Sequence, residues 1–110
     1  MGRPPGDLLP GTLEMLILRT LMVERMHGYG IAQHISRVSA EVLKVEKGSL
    51  YPALERLERN GLVTSKWSQT PTGRRARYYT ITASGRRALG EEISSFEQMC
   101  AAIARVLKPS

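Results

Sequence analysis

Apolar residues recur three or four positions apart in the first third of the chain, and this spacing predicts two helices. The first begins at Thr12, whose hydroxyl can cap it, and ends near Met26, because the glycine-containing residues 27–30 make a poor helix interior. The buried stripes predicted for the two helices are Leu13, Leu16, Ile17 and Leu21, and then Ile31, Ile35 and Val38.

A third helix is predicted to begin at Ser49, a good capping residue, and to end at Asn60 and Gly61. Pro52 then falls in its first turn, where backbone donors lack helical partners in any case. The buried stripe of this helix consists of Leu50, Leu54 and Leu57. The preceding segment, residues 39–48, is compatible with either a short extended stretch or irregular packing.

The spacing of apolar residues then changes to two, which is typical of strands. Residues 62–69 and 76–82 predict the two strands of a hairpin, and the sequence Thr-Pro-Thr-Gly predicts its turn. Thr82 can cap a last helix that runs to about Leu107. The apolar positions of this helix alternate four and three apart, as in a surface that packs against a second helix. They are Leu89, Ile93, Phe96, Cys100, Ile103 and Leu107.

These elements predict an α+β, mainly α fold: a winged helix-turn-helix with an appended C-terminal dimerisation helix. Residues 1–11, which contain three of the six prolines, are expected to form a flexible N-terminal arm. Residues 12–82 would form the winged-helix DNA-binding domain, and residues 83–110 the dimerisation helix. A chain of 110 residues is long enough for one such domain without disulfide bonds.

The composition narrows the choice of function. Sixteen Lys and Arg against ten Asp and Glu give a net charge of +6 and a pI near 10.0, which makes nucleic acid the first partner to consider. The single cysteine excludes a disulfide-rich secreted fold. The sequence shows no apolar run of membrane-spanning length and no leader pattern, so we expect a cytoplasmic protein.

Basic residues are concentrated between Glu58 and Glu91, a stretch that contains seven Lys or Arg and no acid. A solvated surface usually mixes both signs of charge, so this block indicates an anionic partner. Arg74, Arg75 and Arg77 lie at the predicted hairpin tip, from which they can reach DNA phosphates. We therefore predict that the hairpin contacts the DNA backbone.

The third helix is the candidate recognition helix, because such helices contact bases chiefly through their N-terminal residues. Ser49 and Tyr51 are best placed for this, and Lys47 just before them can contact a phosphate. Partial packing of Tyr51 in the core, with its hydroxyl in water, is the alternative. The complete set of predicted DNA-binding residues is Lys47, Ser49, Tyr51, Pro52, Arg56, Arg74, Arg75 and Arg77.

Four segments of the chain resemble a known family. They are LPGTLEMLIL at residues 9–18, HGYGIAQHI at 27–35, KGSLYPALERLERNGLV at 47–63 and TGRRARYYTITASGRRAL at 72–89. Together they are similar to the PadR family of bacterial transcriptional regulators, and in particular to its short members with a single C-terminal helix. Gly30 departs from the family pattern, which usually has a larger residue there, and is expected to loosen the start of the second helix.

The resemblance implies a winged-helix DNA-binding domain, a C-terminal dimerisation helix and, typically, repression at the regulator's own or neighbouring promoters. It also implies that Tyr51 lies on the recognition helix and that residues 74–77 lie in the wing. The predicted function is a sequence-specific DNA-binding transcriptional regulator, a repressor that acts as a homodimer on a pseudo-palindromic operator.

Two other functions remain as alternatives. A basic RNA-associated winged-helix protein without operator specificity would use the same hairpin but would not need a fixed dimer spacing. A protein-binding adaptor built on the same fold is disfavoured by the acid-free basic block.

Other sites are only weakly indicated. No catalytic motif is present, and His27 and His34 lack partners at a metal-binding spacing, so no enzyme, metal or cofactor is expected. Surface or helix-end positions fit the two histidines better. Cys100 is expected to be a buried structural thiol, because it lies on the apolar seam. If a small effector exists, an aromatic or lipophilic compound would suit an apolar pocket at the dimer interface. The residues of such a pocket would be Trp67, Phe96 and Met99.

Overall fold

The computed structural model describes residues 11–109, and the predicted flexible arm, residues 1–11, lies outside them except for Gly11. The elements in chain order are α1 (Thr12–Leu21), β1 (Met26–His27), α2 (Gly28–Val38), α3 (Lys47–Arg59), β2 (Val63–Gln69), β3 (Arg75–Ile81) and α4 (Ala83–Leu107). The strands form one antiparallel sheet in the order β1-β3-β2. The predicted fold class is confirmed, since four helices and a small sheet form a mainly helical, winged-helix architecture.

The core lies between α1, α2 and α3 and one face of the hairpin formed by β2 and β3. Ile17, Ile31 and Leu54 at its centre are completely buried. Each such side chain stabilises the folded state by roughly 1.5–3 kcal/mol relative to an exposed one, so this cluster is the main driving force for folding. Within residues 11–109, every buried side-chain nitrogen and oxygen has a hydrogen-bond partner.

The first helix is shorter than predicted. α1 ends at Leu21, well before the predicted end near Met26. Gly11 rather than Thr12 occupies the capping position, and its left-handed φ of 87° is one that glycine adopts without strain. Thr12 is instead the first helical residue, so the prediction that its hydroxyl caps the helix is wrong.

A short strand that the sequence pattern does not predict connects α1 to α2. β1 pairs Met26 with Tyr79 and His27 with Tyr78 of β3. The backbone N–H of Gly30 donates to Nδ1 of His27 at 3.1 Å, so His27 caps α2 and occupies a helix-end position, as predicted. This bond holds the start of α2, and the loosening expected at Gly30 stays a prediction.

The buried stripe of α2 is shorter than predicted. Ile31 and Ile35 are buried, but Val38 is 70 % exposed at the last residue of the helix, where no other element of residues 11–109 covers it. Residues 39–46 form neither a helix nor a strand, and φ is positive at two of them. The irregular alternative is therefore the correct one for most of this segment.

α3 begins at Lys47, before the predicted start at Ser49. Its capping position is Glu46, which makes no side-chain capping bond, and Ser49 is the third helical residue. Pro52 consequently lies beyond the first turn, contrary to the prediction, and it cannot donate a helical hydrogen bond to the carbonyl of Gly48. The predicted leucine stripe of α3 is confirmed, since each of its residues is 2 % exposed or less.

The hairpin agrees with the predicted strands to within one residue, and β2 and β3 pair along their whole length. Tyr79 is buried and Tyr78 is half-buried, as a two-residue period requires. Gly73 in the connecting turn has a φ of 88°, and its N–H donates to the carbonyl of Thr70 at 2.9 Å. The hairpin therefore extends beyond the core as a regular two-stranded ribbon.

α4 begins as predicted after Thr82, whose hydroxyl accepts the N–H of Gly85 at 3.0 Å and donates to the carbonyl of Gly61 at 2.8 Å. The helix has 25 residues and is therefore about 37 Å long. Its first turns pack on the core through Leu89 and Ile93, whereas nearly all later residues are exposed. The second half of α4 therefore projects from the domain.

Gly85 and Gly90 lie on α4 in different surroundings and form a matched pair of test sites. A Cβ at Gly85 would collide with the backbone carbonyl of Leu62, whereas a Cβ at Gly90 would meet open space. We expect Gly85→Ala to lower the free energy of unfolding by about 1–3 kcal/mol, because the backbone must shift. Gly90→Ala should raise it by roughly 0.5–1 kcal/mol, because alanine is the better helix former. Urea unfolding followed by circular dichroism measures both, and equal effects would contradict this assignment.

Candidate nucleic-acid interface

The exposed face of α3 lies opposite its leucine stripe. Besides Gly48, four residues in the N-terminal half of the helix are exposed, and all four belong to the predicted DNA-binding set. They are Lys47, Ser49, Tyr51 and Pro52. Because the leucines on the other face hold the helix in the core, these side chains are free for contacts outside the domain.

Tyr51 combines the two environments predicted for it. Its ring lies against the backbone of Gly28 at the start of α2, yet 46 % of the residue remains exposed. Tyr51 is therefore partly packed between two helices and partly available to a partner.

Arg56 forms an ion pair with a glutamate of α1. Its Nε donates to Oε2 of Glu14 in α1 at 2.7 Å, across 42 residues of sequence. Both side chains are partly exposed, so the pair contributes at most about 1 kcal/mol to stability. Arg56 joins α3 to α1 in this structure, and its role as a DNA contact stays a prediction.

A polar network connects the C-terminal half of α3 to the hairpin. The hydroxyl of Ser65 donates to Oε2 of Glu58 at 2.7 Å and accepts Nε–H of Arg77 at 2.7 Å. A second guanidinium nitrogen of Arg77 lies 3.6 Å from Glu58. Arg77 is therefore partly neutralised by α3, although its place in the sequence groups it with the other hairpin arginines.

Arg74 and Arg75 are the exposed cations at the end of the hairpin. Among residues 11–109, neither forms a salt bridge. Cζ of Arg75 lies 5.3 Å from the ring centroid of Trp67, and that of Arg77 lies 5.8 Å from it. Trp67 is 53 % exposed, so two guanidinium groups lie beside an aromatic side chain on the surface of the hairpin.

A groove separates α3 from the hairpin. Its lining consists of Tyr51, Pro52, Glu55, Glu58, Arg77 and Tyr79. Burial raises the pKa of the Tyr79 hydroxyl above its ordinary value of 10.0, although the charge of Arg77 opposes the shift. Tyr79 is therefore neutral at physiological pH and adds no negative charge to the groove.

The predicted effector pocket is not formed by the single chain. Trp67 lies beside the hairpin arginines, whereas Phe96 and Met99 are exposed on the projecting half of α4. A second surface depression lies along the first half of α4 and is lined by arginine, glutamate, serine and glycine. A pocket that combines the three predicted residues stays a prediction and would require a second copy of the chain.

The apolar seam of α4 divides into two parts. Leu89 is 4 % exposed and Ile93 is half-buried, and both pack on the core of their own chain. Leu89 was predicted to contact a partner chain, but its burial leaves it unavailable for that contact. The later seam residues are exposed, and Met99 and Val106 extend their apolar surface. These seam residues are Phe96, Cys100, Ile103 and Leu107. Cys100 is exposed in the single chain, so its expected burial stays a prediction that requires a second copy of the helix.

Residues 11–109 lack two further features, a metal site and a membrane-spanning helix. No group of three or more His, Cys, Asp or Glu side chains in this range could hold a metal ion. None of the helices in the same range combines the length and apolar character that crossing a membrane requires.

The sequence shares a family pattern with known regulators. A model of the transcriptional regulator PadR-like family matches residues 17–91, which is more than half of the chain. The chain belongs to this family. The resemblance seen in the sequence is therefore confirmed, and this PadR-like protein is a transcriptional regulator with a DNA-binding winged helix rather than an enzyme.

Individual relatives agree with this assignment. A transcriptional regulator from Mycobacterium tuberculosis is 36 % identical over 83 residues, which cover 76 % of the PadR-like chain and 74 % of that protein. The structure of a transcriptional regulator from Clostridium thermocellum superposes with a TM-score of 0.82 at 28 % identity, covering 89 % of this chain and 95 % of the other. A PadR family transcriptional regulator from Eggerthella lenta has a TM-score of 0.77 at 30 % identity, with 91 % and 85 % covered.

The raised pKa of Tyr79 predicts how stability changes in alkali. The unfolded chain ionises at a lower pH than the folded chain, so the contribution of the neutral phenol is complete below the unfolded pKa. It is lost as the pH rises through the higher folded pKa. Tyr79→Phe should therefore lose less unfolding free energy than the wild type as the pH rises above the ordinary tyrosine pKa of 10.0. Urea unfolding at each pH measures this, with exposed Tyr29→Phe as control. Parallel curves for Tyr79→Phe and the wild type would refute it.

Proposed function

We propose that this PadR-like regulator is a repressor that binds a pseudo-palindromic operator as a homodimer. The observation that carries the proposal is the groove between α3 and the hairpin. On one side of it lie the exposed N-terminal residues of α3, and on the other lies the hairpin that ends in Arg74 and Arg75. With α3 in the major groove, the hairpin would lie along the flanking phosphates or the adjacent minor groove.

The homodimer is supported by the projecting half of α4. From Phe96 to Leu107 its apolar side chains have no covering element among residues 11–109, and they continue the spacing that packs on the core at Leu89. A second copy of α4 is the partner of matching chemistry, because the same apolar face on both helices can pack around a two-fold axis. Such a pair would hold two α3 helices about 34 Å apart, one turn of DNA.

Duplex DNA is favoured over the RNA-binding alternative by the exposed face of α3. The major groove of A-form RNA is deep and narrow, so a helix cannot enter it as it enters B-form DNA. A protein that binds RNA through the hairpin alone would therefore not need the exposed face of α3. Because the proposed target is the bacterial chromosome, the proposed site of action is the cytoplasm.

Selection of bound duplexes from a random DNA pool tests this function directly. We expect an inverted repeat whose half-sites are separated by about one helical turn, because the dimer has two-fold symmetry. A single, non-repeated site would contradict the dimer. The absence of any preferred sequence, together with equal binding to duplex RNA, would contradict operator recognition.

Ile103 tests whether the projecting half of α4 forms the dimer. Ile103→Glu would place an unpaired charge in the proposed interface, at a cost of about 3 kcal/mol or more for each copy, and should give monomers. Ala101→Glu introduces the same side chain on the opposite, exposed face of α4 and should leave the dimer intact. Sedimentation equilibrium of both variants measures this. A dimer that survives Ile103→Glu would place the interface elsewhere.

The hairpin arginines test the phosphate contacts. Arg74→Ala with Arg75→Ala should weaken binding to the operator and to random duplexes by similar factors. The slope of log K against log salt should fall by about one unit for each phosphate that the protein no longer neutralises. Arg19→Ala with Arg105→Ala removes the same charge from α1 and the end of α4, outside the groove. An equal fall in slope for this control pair would show that only net charge matters.

A further inference from the structure

Gly28, the first residue of α2, lies against the hydroxyl end of the Tyr51 side chain. A Cβ built on Gly28 would be 2.7 Å from the Tyr51 hydroxyl oxygen, 2.9 Å from Cε1 and 3.0 Å from Cζ. Gly28 is buried, while Tyr51 is 46 % exposed. The backbone of α2 therefore forms a surface against which an otherwise exposed side chain of α3 rests.

The atoms that approach Gly28 all belong to the far end of the Tyr51 side chain. That side chain can turn about its own bonds, so an added methyl group would displace the ring and leave the two helices in place. Gly85 differs in this respect, because its nearest neighbour is a backbone carbonyl that cannot turn away. The two glycines are thus required for different reasons.

The start of α2 is itself firmly held. His27 caps it through the N–H of Gly30, and the backbone of His27 pairs with Tyr78 in the sheet. The rings of His27 and Tyr78 also meet edge to face, with centroids 5.2 Å apart, and Arg25 lies over the Tyr78 ring at 4.7 Å. Because the segment on both sides of Gly28 is anchored, the position of Gly28 relative to the sheet defines where the ring of Tyr51 can lie.

We propose that Gly28 is a positioning residue for operator recognition: the absence of a side chain there sets the ring of Tyr51 on the DNA-facing side of α3. A ring held against the backbone loses less conformational freedom on binding, so its contact with DNA is stronger than that of a mobile ring. This inference rests on the proposed function, in which Tyr51 contributes to sequence discrimination.

A cycle of four proteins tests the coupling: wild type, Gly28→Ala, Tyr51→Ala and the double variant. The measured quantity is the ratio of affinities for the selected operator and for a random duplex. We expect Tyr51→Ala to lower this ratio by about tenfold, as for removal of one base contact. Gly28→Ala should lower it by roughly threefold to tenfold when Tyr51 is present, and should change nothing when Tyr51 is absent. Gly90→Ala, at an exposed glycine of α4 with open space around it and outside the proposed DNA-binding surface, is the control and should leave the ratio unchanged.

The outcomes separate the two proposals. An unchanged ratio for Tyr51→Ala would overturn the role of Tyr51 in the proposed function. A normal effect of Tyr51→Ala with no effect of Gly28→Ala would overturn only the positioning role. An effect of Gly28→Ala that persists without Tyr51 would also overturn it, because the change would then act through α2. Thermal unfolding by circular dichroism should show Gly28→Ala folded at least as stably as the wild type. Failure of this variant to fold would overturn the inference, which requires the ring and not the backbone to move.

Discussion

Three parts of the molecule meet where the backbone of Leu62 crosses the start of α4. The N–H of Leu62 donates to the carbonyl of Leu57 in the last turns of α3 at 2.9 Å, and its carbonyl accepts the N–H of Thr82 at 3.0 Å. Gly85 approaches the same carbonyl closely enough to exclude any side chain. The end of α3, the base of the hairpin and the beginning of α4 therefore share one backbone segment. The orientation of each relative to the others depends on this contact.

Distance from that junction separates the hairpin arginine that has charged or polar partners in its own chain from the two that have no salt bridge. Arg77 lies near enough to reach Ser65 and Glu58, whereas Arg74 and Arg75 lie further out and make no salt bridge within residues 11–109. A surface ion pair contributes at most about 1 kcal/mol, so the lack of salt bridges at Arg74 and Arg75 has little effect on folding stability. Its main physical effect is a local positive potential at the end of the hairpin, which would attract DNA and accelerate association.

Features that depend on near neighbours in sequence were predictable. The leucine stripe of α3, the hairpin and the cap at Thr82 all follow from residues a few positions apart. β1 was not predicted, because two residues carry no period, and the start of α3 was mispredicted because no side chain caps it. The Glu14–Arg56 pair and the contact between Gly28 and Tyr51 depend on how the helices cross. Spacing within one segment carries no information about such crossings.

The apolar period of α4 illustrates how one sequence pattern can meet two different requirements. A helix presents the same face along its whole length, but the domain covers only its first turns, so Leu89 is buried while Phe96 and Leu107 are exposed. No proline interrupts the helix between these positions. In the proposed dimer, a change in the angle between the two copies of α4 would therefore be transmitted along a continuous helix to Thr82. The backbone contact at Leu62 would transmit it from there to α3. The separation of the two recognition helices would then be determined by the packing of side chains far from the DNA.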